Sequence, residues 1–406
     1  MQMKWHNNLI FGVIEGLDKI FLQKKYANKV VKNIIEKNKK WGVRDRGLIS
    51  QTIFECVRWY RKYIYCSGLK ELNSQKDLWD FLGTYIVIKK QELPKIDQFS
   101  SINKVKIEKK QFEIKNNRKI NESIPDWLDK IGVDNFGEEI WNKEVCEFNK
   151  RSHLVIRCNT LKSNIIELKK QLEIEEINFS EIKNYPNALI IKGKNKITNL
   201  NSYKAGFFEI QDANSQKVAL SCSIKPGMTI IDACAGAGGK TMHIGELLNN
   251  NGKIFALDPD QKKLNELKKR AKRNGINIIK TLNSNNIKSM VGFVGKADRV
   301  LIDAPCSGLG VIKRNPDTKL KMNPLILKSK IKIQNKLINY WSKYVKEKGE
   351  LIYATCSIFD QENKNQIRKF LENENGKNFF LKKEETYLSH ITGFDGFYIA
   401  QLKKCE

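Results

Sequence analysis

The stretch "IIDACAGAGGKT", Ile230 to Thr241, reads as an apolar strand ending in an acid, then a glycine-rich turn, then the start of a helix. Gly236, Gly238 and Gly239 permit a tight turn and let a ligand approach the backbone, as nucleotide-binding α/β folds require. The turn is not the phosphate cradle G-x-x-x-x-G-K-[ST], because Cys234 stands where the first glycine belongs. Nor is it G-x-G-x-x-G, because Thr241 takes the last glycine position. A nucleoside site is expected instead. Asp258 closes the next strand, "KIFALD", nineteen residues past Gly239, where an acid in this architecture hydrogen-bonds ribose hydroxyls. As the opening of "DPDQKK" it also suits a helix cap, which would leave one carboxylate oxygen for a ribose.

Outward from this turn the same grammar repeats. "TIIDACAG", "KIFALD", "RVLIDAP" and "GELIYATCS" are short apolar runs, each followed by a helical pattern, which predicts a mostly parallel, doubly wound sheet with ligands at the strand carboxyl ends. Upstream, "HLVIRCNTLK", a helix through "SNIIELKKQLEI" and a strand at "ALIIKG" predict a small α+β module in character with RNA-binding platforms. Before that the chain reads as helix, with Ile49, Ile53, Val57 and Tyr60 at helical spacing. The polar stretch 100–121 reads as a linker, and Pro125 suits the first turn of the next helix. Three domains are expected: all-α over 1–125, a small α+β module over 126–205, and an α/β Rossmann-like domain over 206–406.

The formal charge of +28 favours a polyanionic partner, since lysine and arginine set against phosphates release counterions. Residues 1–125 carry 26 basic and 13 acidic groups, residues 126–206 carry 13 and 12, and the remainder 34 and 20, so the excess lies at both ends. In "VRWYRKYIY", Arg58, Arg61 and Lys62 alternate with aromatics, either as a surface for stacking bases and neutralising phosphates or as an aromatic core stripe with a solvated basic face. Nine cysteines with no C-x-x-C pair exclude the usual zinc spacings and a secreted disulfide framework, and no metal is expected. The sequence holds no signal-like leader and no apolar run of about eighteen residues, so a soluble, cytoplasmic protein without a membrane partner is expected.

Two thiols stand apart from the rest. Cys306 in "LIDAPCSGLG" and Cys356 in "IYATCS" follow two of the predicted strands, and adjacent strand ends converge on one cleft. With Asp303 at the end of the first strand, they make a candidate reaction centre in which either thiol serves as nucleophile.

Through "RCNTLK", "GFFEIQDANSQ", "DACAGAGGKT", "DAPCSGLG", "KRNPD" and "YATCS", from about Cys158 to Phe397, the chain resembles the S-adenosylmethionine-dependent RNA cytosine-C5 methyltransferases of the bacterial Sun (Fmu) and eukaryotic nucleolar-protein type. The helical first region is similar to the NusB-type RNA-binding domain of bacterial members. The resemblance implies S-adenosyl-L-methionine as cofactor, bound around Ala233, Cys234, Ala235, Gly236, Ala237, Gly238, Gly239, Lys240, Asp258, Asn283 and Asp303. It implies Cys356 as nucleophile, Cys306 as the thiol that assists release of the methylated RNA, Asp303 as the group contacting the base and supporting protonation at N3, and Lys240 as part of the same environment. The chemistry agrees: C5 of a neutral cytosine is a poor nucleophile, and thiolate addition to C6 makes it enamine-like.

The chain departs from the family pattern at two positions. Ala237 replaces a usual proline, a change that contacts from backbone tolerate, whereas Asn283 stands where an aspartate usually receives the adenine amino group, and from it weaker cofactor binding, not loss, is expected. Cys56, Cys66, Cys146, Cys158, Cys222 and Cys405 read as packing or surface thiols, Cys234 as a small residue that the glycine turn needs for fit, and the four histidines, His6, His153, His243 and His390, which form no cluster, as structural. The expected activity is methylation of small-subunit ribosomal RNA by a monomer. The alternatives are transfer RNA as substrate, or a non-catalytic RNA-binding assembly factor.

Overall fold

The computed structural model describes residues 5–193, 196–285 and 287–405. The chain divides into two compact units, Met1–Lys150 with Ile312–Met322, and Arg151–Val311 with Asn323–Glu406.

In the first unit the apolar spacing read from the sequence makes the core. Ile49, Ile53 and Val57 are fully buried on helix Val43–Arg58. Gly16 on helix Asn7–Leu17 lets that helix close on it, because a Cβ there would lie 2.4 Å from Ile53 Cδ1. Trp59, at φ −109°, breaks the run, and Tyr60–Ser67 continues as a separate helix. Tyr63 sits edge-on to Phe81 and Tyr85 of helix Gln75–Ile88, whose start is fixed by reciprocal hydrogen bonds between Ser74 and Asp77.

The basic residues of "VRWYRKYIY" are committed internally. Arg58 is buried and donates to the carbonyls of Phe148 and Lys313. Arg61 donates to Ile124 O and pairs with Asp126 at 3.0 Å. Lys62 donates to Asn121 Oδ1 at 2.8 Å and lies over the Trp59 ring. Within the protein the partners of these cations are carbonyls and the carboxylates of Glu55 and Asp126.

The expected linker is also structured. Lys104–Glu113 and Arg118–Asn121 are helices, with Ile107 and Ile114 buried and Arg118 paired to Asp129 at 2.8 Å. Helix Asp126–Phe148, interrupted at Gly137, packs in this compact unit, which runs to Lys150. Pro125 is its N-cap residue, one position before the first turn.

The segment Ile312–Met322, which carries the "KRNPD" motif, is also part of the helical unit. Asp317 accepts the N–H of Ala27 at the start of helix Ala27–Lys37, Lys313 pairs with Glu147 at 2.6 Å, and buried Lys319 donates to Arg58 O and Asn149 Oδ1. Burial, and then the Arg58 charge, push the Lys319 ammonium down to about 7.

The second unit holds two sheets. The smaller is antiparallel and is built from β1 (Leu154–Cys158), β2 (Phe179–Glu181), β3 (Ala188–Ile191) and β4 (Phe208–Ile210) in the order β2-β3-β1-β4. Helix Ile165–Ile174 buries Leu168 and Leu172 in the core with Ile156, Leu189 and Phe208. The larger sheet comprises β5 (Thr229–Asp232), β6 (Lys253–Asp258), β7 (Ile279–Asn283), β8 (Ala297–Asp303), β9 (Val345–Thr355), β10 (Phe379–Tyr387) and β11 (Phe397–Lys404). Its order is β10-β11-β9-β8-β5-β6-β7; the five strands β5 to β9 pair in parallel, and β11 and β10 are antiparallel. Both neighbours of β5 run parallel to it but the strand order reverses there, so the crevice at its carboxyl end is the switch point where such sheets take ligands.

Candidate active site

The residues singled out above stand along the carboxyl edge of this sheet and are joined by short contacts. Ala233 continues the ladder beyond β5, donating to Leu301 O at 2.9 Å, and Ala235 does the same toward Leu257 O at 2.8 Å. The chain then turns. Gly236 has φ +55°, and a Cβ on it would meet nothing within 4 Å; Gly238 has φ +88°, and a Cβ on it would lie 2.6 Å from Leu267 Cγ. Gly236 leaves open space for a ligand, and Gly238 lets the turn pack on helix Gln261–Asn274. Gly239 is ordinary helical backbone at the start of Gly239–Leu247. The Ala237 carbonyl accepts from Arg270 at 2.8 Å, so a residue without proline's restriction is held by a tertiary bond. The Cys234 thiol is pushed well up by burial and then by the charges of Asp232 and Asp303, which suits a packing residue better than a nucleophile.

Asp258 is buried and holds the turn. One carboxylate oxygen accepts the Gly236 N–H at 3.1 Å and the other the Asp260 N–H at 2.8 Å. The helix cap expected of Asp258 belongs to Asp260, whose side chain accepts from the N–H groups of Lys262 and Lys263. Asn283 is the register partner of Asp258 across β6 and β7, donates to Pro259 O at 3.2 Å and accepts from the Asn285 N–H at 2.9 Å.

Across the switch point, Lys240 Nζ meets Asp303 Oδ2 at 2.6 Å and lies 5.2 Å from the centre of the Phe397 ring. Burial disfavours the ammonium, but the charge and hydrogen bond of Asp303, followed by the charges of Cys356 and Asp232, outweigh it and raise its pKa. Nearby, Asp232 accepts from the Thr241 hydroxyl at 2.7 Å. Its carboxyl is pushed up to about 7, first by burial and, against the Thr241 bond, by the Asp303 charge.

The two thiols meet. Cys306 Sγ and Cys356 Sγ are 3.2 Å apart, in hydrogen-bond contact and not bonded. The Cys306 thiol is pushed well up by that hydrogen bond, by burial and by the charges of Cys356 and Glu362. Backbone bonds close the two loops on each other, from Gly310 N–H to Cys356 O at 2.9 Å and from Gly396 N–H to Gly310 O at 2.7 Å. Gly310 is needed for this approach, since a Cβ there would lie 2.2 Å from Gly396 O.

Several site residues escape the sequence reading. Buried Glu362 accepts from Ser307, beside Cys306, and Asn363 links Thr355 to Ser357 on either side of Cys356. No local pattern marks an acid or amide in "DQENKNQ" as a support of the loops that carry Cys306 and Cys356. Other motif residues turn out to be structural: Arg157 of "RCNTLK" is buried with Glu246 and Gln211, and Asn159 bonds Gly206 O and Asn274 O.

The site fits a nucleoside with a compact charge better than a polyphosphate. The only lysine in the turn is neutralised by Asp303, the ligand side of Gly236 is open, and Asp258 and Asn283 are polar groups suited to ribose and base.

The family described as 16S rRNA methyltransferase RsmB/F matches residues 219–403, and the ferredoxin-like domain of RsmF/B-type methyltransferases matches residues 124–198. The chain is 33% identical over 301 residues to a probable ribosomal RNA small subunit methyltransferase B of Synechocystis sp., covering 70% of this chain and 67% of that protein. It is 32% identical over 304 residues to a probable enzyme of the same name from Bacillus subtilis, covering 70% and 66%. The chain thus spans about two thirds of the length of these relatives. Its fold is similar to the crystal structure of PH0851, with a TM-score of 0.82 over 100% of both chains at 24% identity. It is also similar to that of NSun6 from Pyrococcus horikoshii with SFG, at TM-score 0.63 and 22% identity over 70% of this chain and 99% of that one. The chain belongs to the RsmB/F family, the Sun-type S-adenosylmethionine-dependent RNA methyltransferases.

Proposed function

We propose that this chain methylates C5 of a cytosine in small-subunit ribosomal RNA, with Cys356 as the nucleophile. The observation that carries the reading is the pair of thiols 3.2 Å apart at the ends of adjacent strands β8 and β9, beside the Lys240–Asp303 pair. Methylation at nitrogen needs no thiol, whereas C5 methylation needs one to add and benefits from a second group for elimination.

On this reading Asp258 and the backbone of Gly236 to Gly238 hold the nucleoside of S-adenosyl-L-methionine, and Asn283 serves its adenine. The bound cofactor supplies an electrophilic methyl on sulfonium. Asp303, oriented by Lys240, contacts the cytosine ring and supports protonation at N3. Cys356 adds to C6, which loads electron density onto C5 for methyl transfer. Cys306 then acts in elimination, when the C5 proton leaves, the C5–C6 double bond re-forms and the Cys356 sulfur departs.

The partner is RNA, and the working unit is one copy of the chain in the cytoplasm. The ferredoxin-like module and the exposed basic surface of the helical domain serve to grip RNA. The test is mapping of 5-methylcytosine in RNA from cells with and without this protein. Loss of a ribosomal RNA site supports the reading, and loss confined to transfer RNA overturns the substrate.

A further inference from the structure

Glu362 is a carboxylate with no solvent exposure, and among the described residues no cation pairs with it. Burying a polar acceptor is expensive, and a fold with no use for its oxygens would be served by an apolar side chain. Its donors come from two residues, Ser307 and Gln334. The Ser307 N–H reaches Oε1 at 2.8 Å, the Ser307 hydroxyl reaches Oε2, and Gln334 Nε2 reaches Oε1 at 2.9 Å. That Gln334, buried on helix Pro324–Trp341, also donates to the Pro305 carbonyl at 3.2 Å. Pro305 and Ser307 are the residues on either side of Cys306, so one connected carboxylate–amide pair grips both flanks of that thiol. The grip is itself anchored to β9, where the Tyr353 hydroxyl donates to the Glu362 carbonyl at 2.7 Å.

No comparable bond from Glu362 or Gln334 reaches Cys356 among the described residues, and its neighbours Thr355 and Ser357 are tied instead to Asn363. The two thiols therefore have different main supports, Glu362 and Gln334 for the flanks of Cys306 and Asn363 for those of Cys356, joined by the longer Ser307–Ser357 hydroxyl contact at 3.5 Å and by the thiol–thiol contact itself.

We infer that Glu362 and Gln334 are positioning residues for Cys306, setting the geometry of the release step while contributing little to the attack made by Cys356. The inference rests on the reading of Cys306 and Cys356 given above. In release, the Cys306 sulfur acts as base and takes the C5 proton, the C5–H electron pair re-forms the C5–C6 double bond, and the C6–S pair leaves with the Cys356 sulfur. A thiol displaced by about 1 Å loses on the order of a hundredfold in such a step.

The experiment uses the full chain, S-adenosylmethionine and labelled small-subunit ribosomal RNA. It compares the wild type with Cys306→Ala, Glu362→Ala, Glu362→Gln, Gln334→Ala and Ser307→Ala. Single-turnover methyl transfer, multiple-turnover rate and protein–RNA complex surviving denaturation are read side by side. Glu362→Ala and Gln334→Ala are expected to accumulate the stable complex, like Cys306→Ala, with turnover falling roughly a hundredfold and methyl transfer by a much smaller factor. Glu362→Gln retains an oxygen for the Ser307 N–H and restores most of the turnover. Should the alanine variants not fold, Ser307→Ala, which removes one hydroxyl, decides alone, with complex accumulation expected.

Equal loss of transfer and turnover, or no stable complex in any clamp variant while Cys306→Ala accumulates it, overturns the inference. If Cys306→Ala itself accumulates none, the reading of Cys306 fails, and the clamp has no release step to serve.

Discussion

Replacing Asp258 separates two jobs that the structure and the proposed function give to one carboxylate. Its oxygens accept the N–H groups of Gly236 and Asp260, so it props the cofactor turn, and on the proposed reading it also receives ribose hydroxyls. A hydrogen bond to a charged group contributes about 1.5–3 kcal/mol, and a buried donor left unmatched costs about 1–3 kcal/mol. Asp258→Ala therefore loses both, and its cofactor affinity is expected to fall by at least tenfold to a hundredfold with a lowered Tm even before cofactor is added. Asp258→Asn keeps one acceptor oxygen, so its Tm falls less while its affinity stays impaired. Calorimetric titration of S-adenosylmethionine beside thermal unfolding of the cofactor-free proteins resolves the two effects. Wild-type affinity in Asp258→Asn together with a lowered Tm would refute the ribose contact and leave Asp258 as a prop for the glycine turn.

Asn283→Asp is expected to tighten cofactor binding severalfold by the same titration, because a carboxylate is the stronger acceptor for an amino group; unchanged or weaker binding removes Asn283 from the adenine site. Arg61→Ala breaks bonds to Ile124 O and Asp126 and is expected to lower stability by on the order of 1 kcal/mol without changing the salt slope of RNA binding. A shallower slope would return that residue to the RNA surface. Lys319 gives a pH signature. The unfolded chain keeps it protonated to its ordinary value of 10.5 and the folded chain only to about 7, so the unfolded state binds more protons in that window and stability rises with pH across it. Lys319→Met should flatten that rise, on the order of 1 kcal/mol per pH unit, in denaturant titrations from about pH 7 to 10; an unaltered slope would show another group to be responsible.

The α/β unit was legible because its signals are local. An apolar run, an acid and a glycine turn recur with each strand, and placing reactive residues at strand ends follows from the sheet's chirality and order. What stayed hidden depends on contacts between distant segments. Nothing around "VRWYRKYIY" marks Arg58 as buried, since its partners lie 90 and 255 residues away. The stretch taken for a linker is polar because its helices are short and show solvent most of their surface, with single residues such as Ile107 and Ile114 supplying the packing. Likewise "KRNPD" is one of the stretches that carry the family resemblance, yet its Lys313 and Asp317, like Lys319 just beyond it, bond within the helical unit. Glu362 could not be singled out, because a carboxylate's value as a clamp arises only when Ser307, 55 residues back, folds onto it.

The proposed function requires that a thiol, Cys356, make C5 of an RNA cytosine reactive. It is tested most directly by incubating the protein with methyl-labelled S-adenosylmethionine and unmodified small-subunit ribosomal RNA, digesting the RNA to nucleosides and locating the label. Label is expected in 5-methylcytidine with the wild type and none above background with Cys356→Ala, although that variant still binds cofactor and RNA. Label in any other nucleoside, or 5-methylcytidine formed by Cys356→Ala at a rate near that of the wild type, would contradict it.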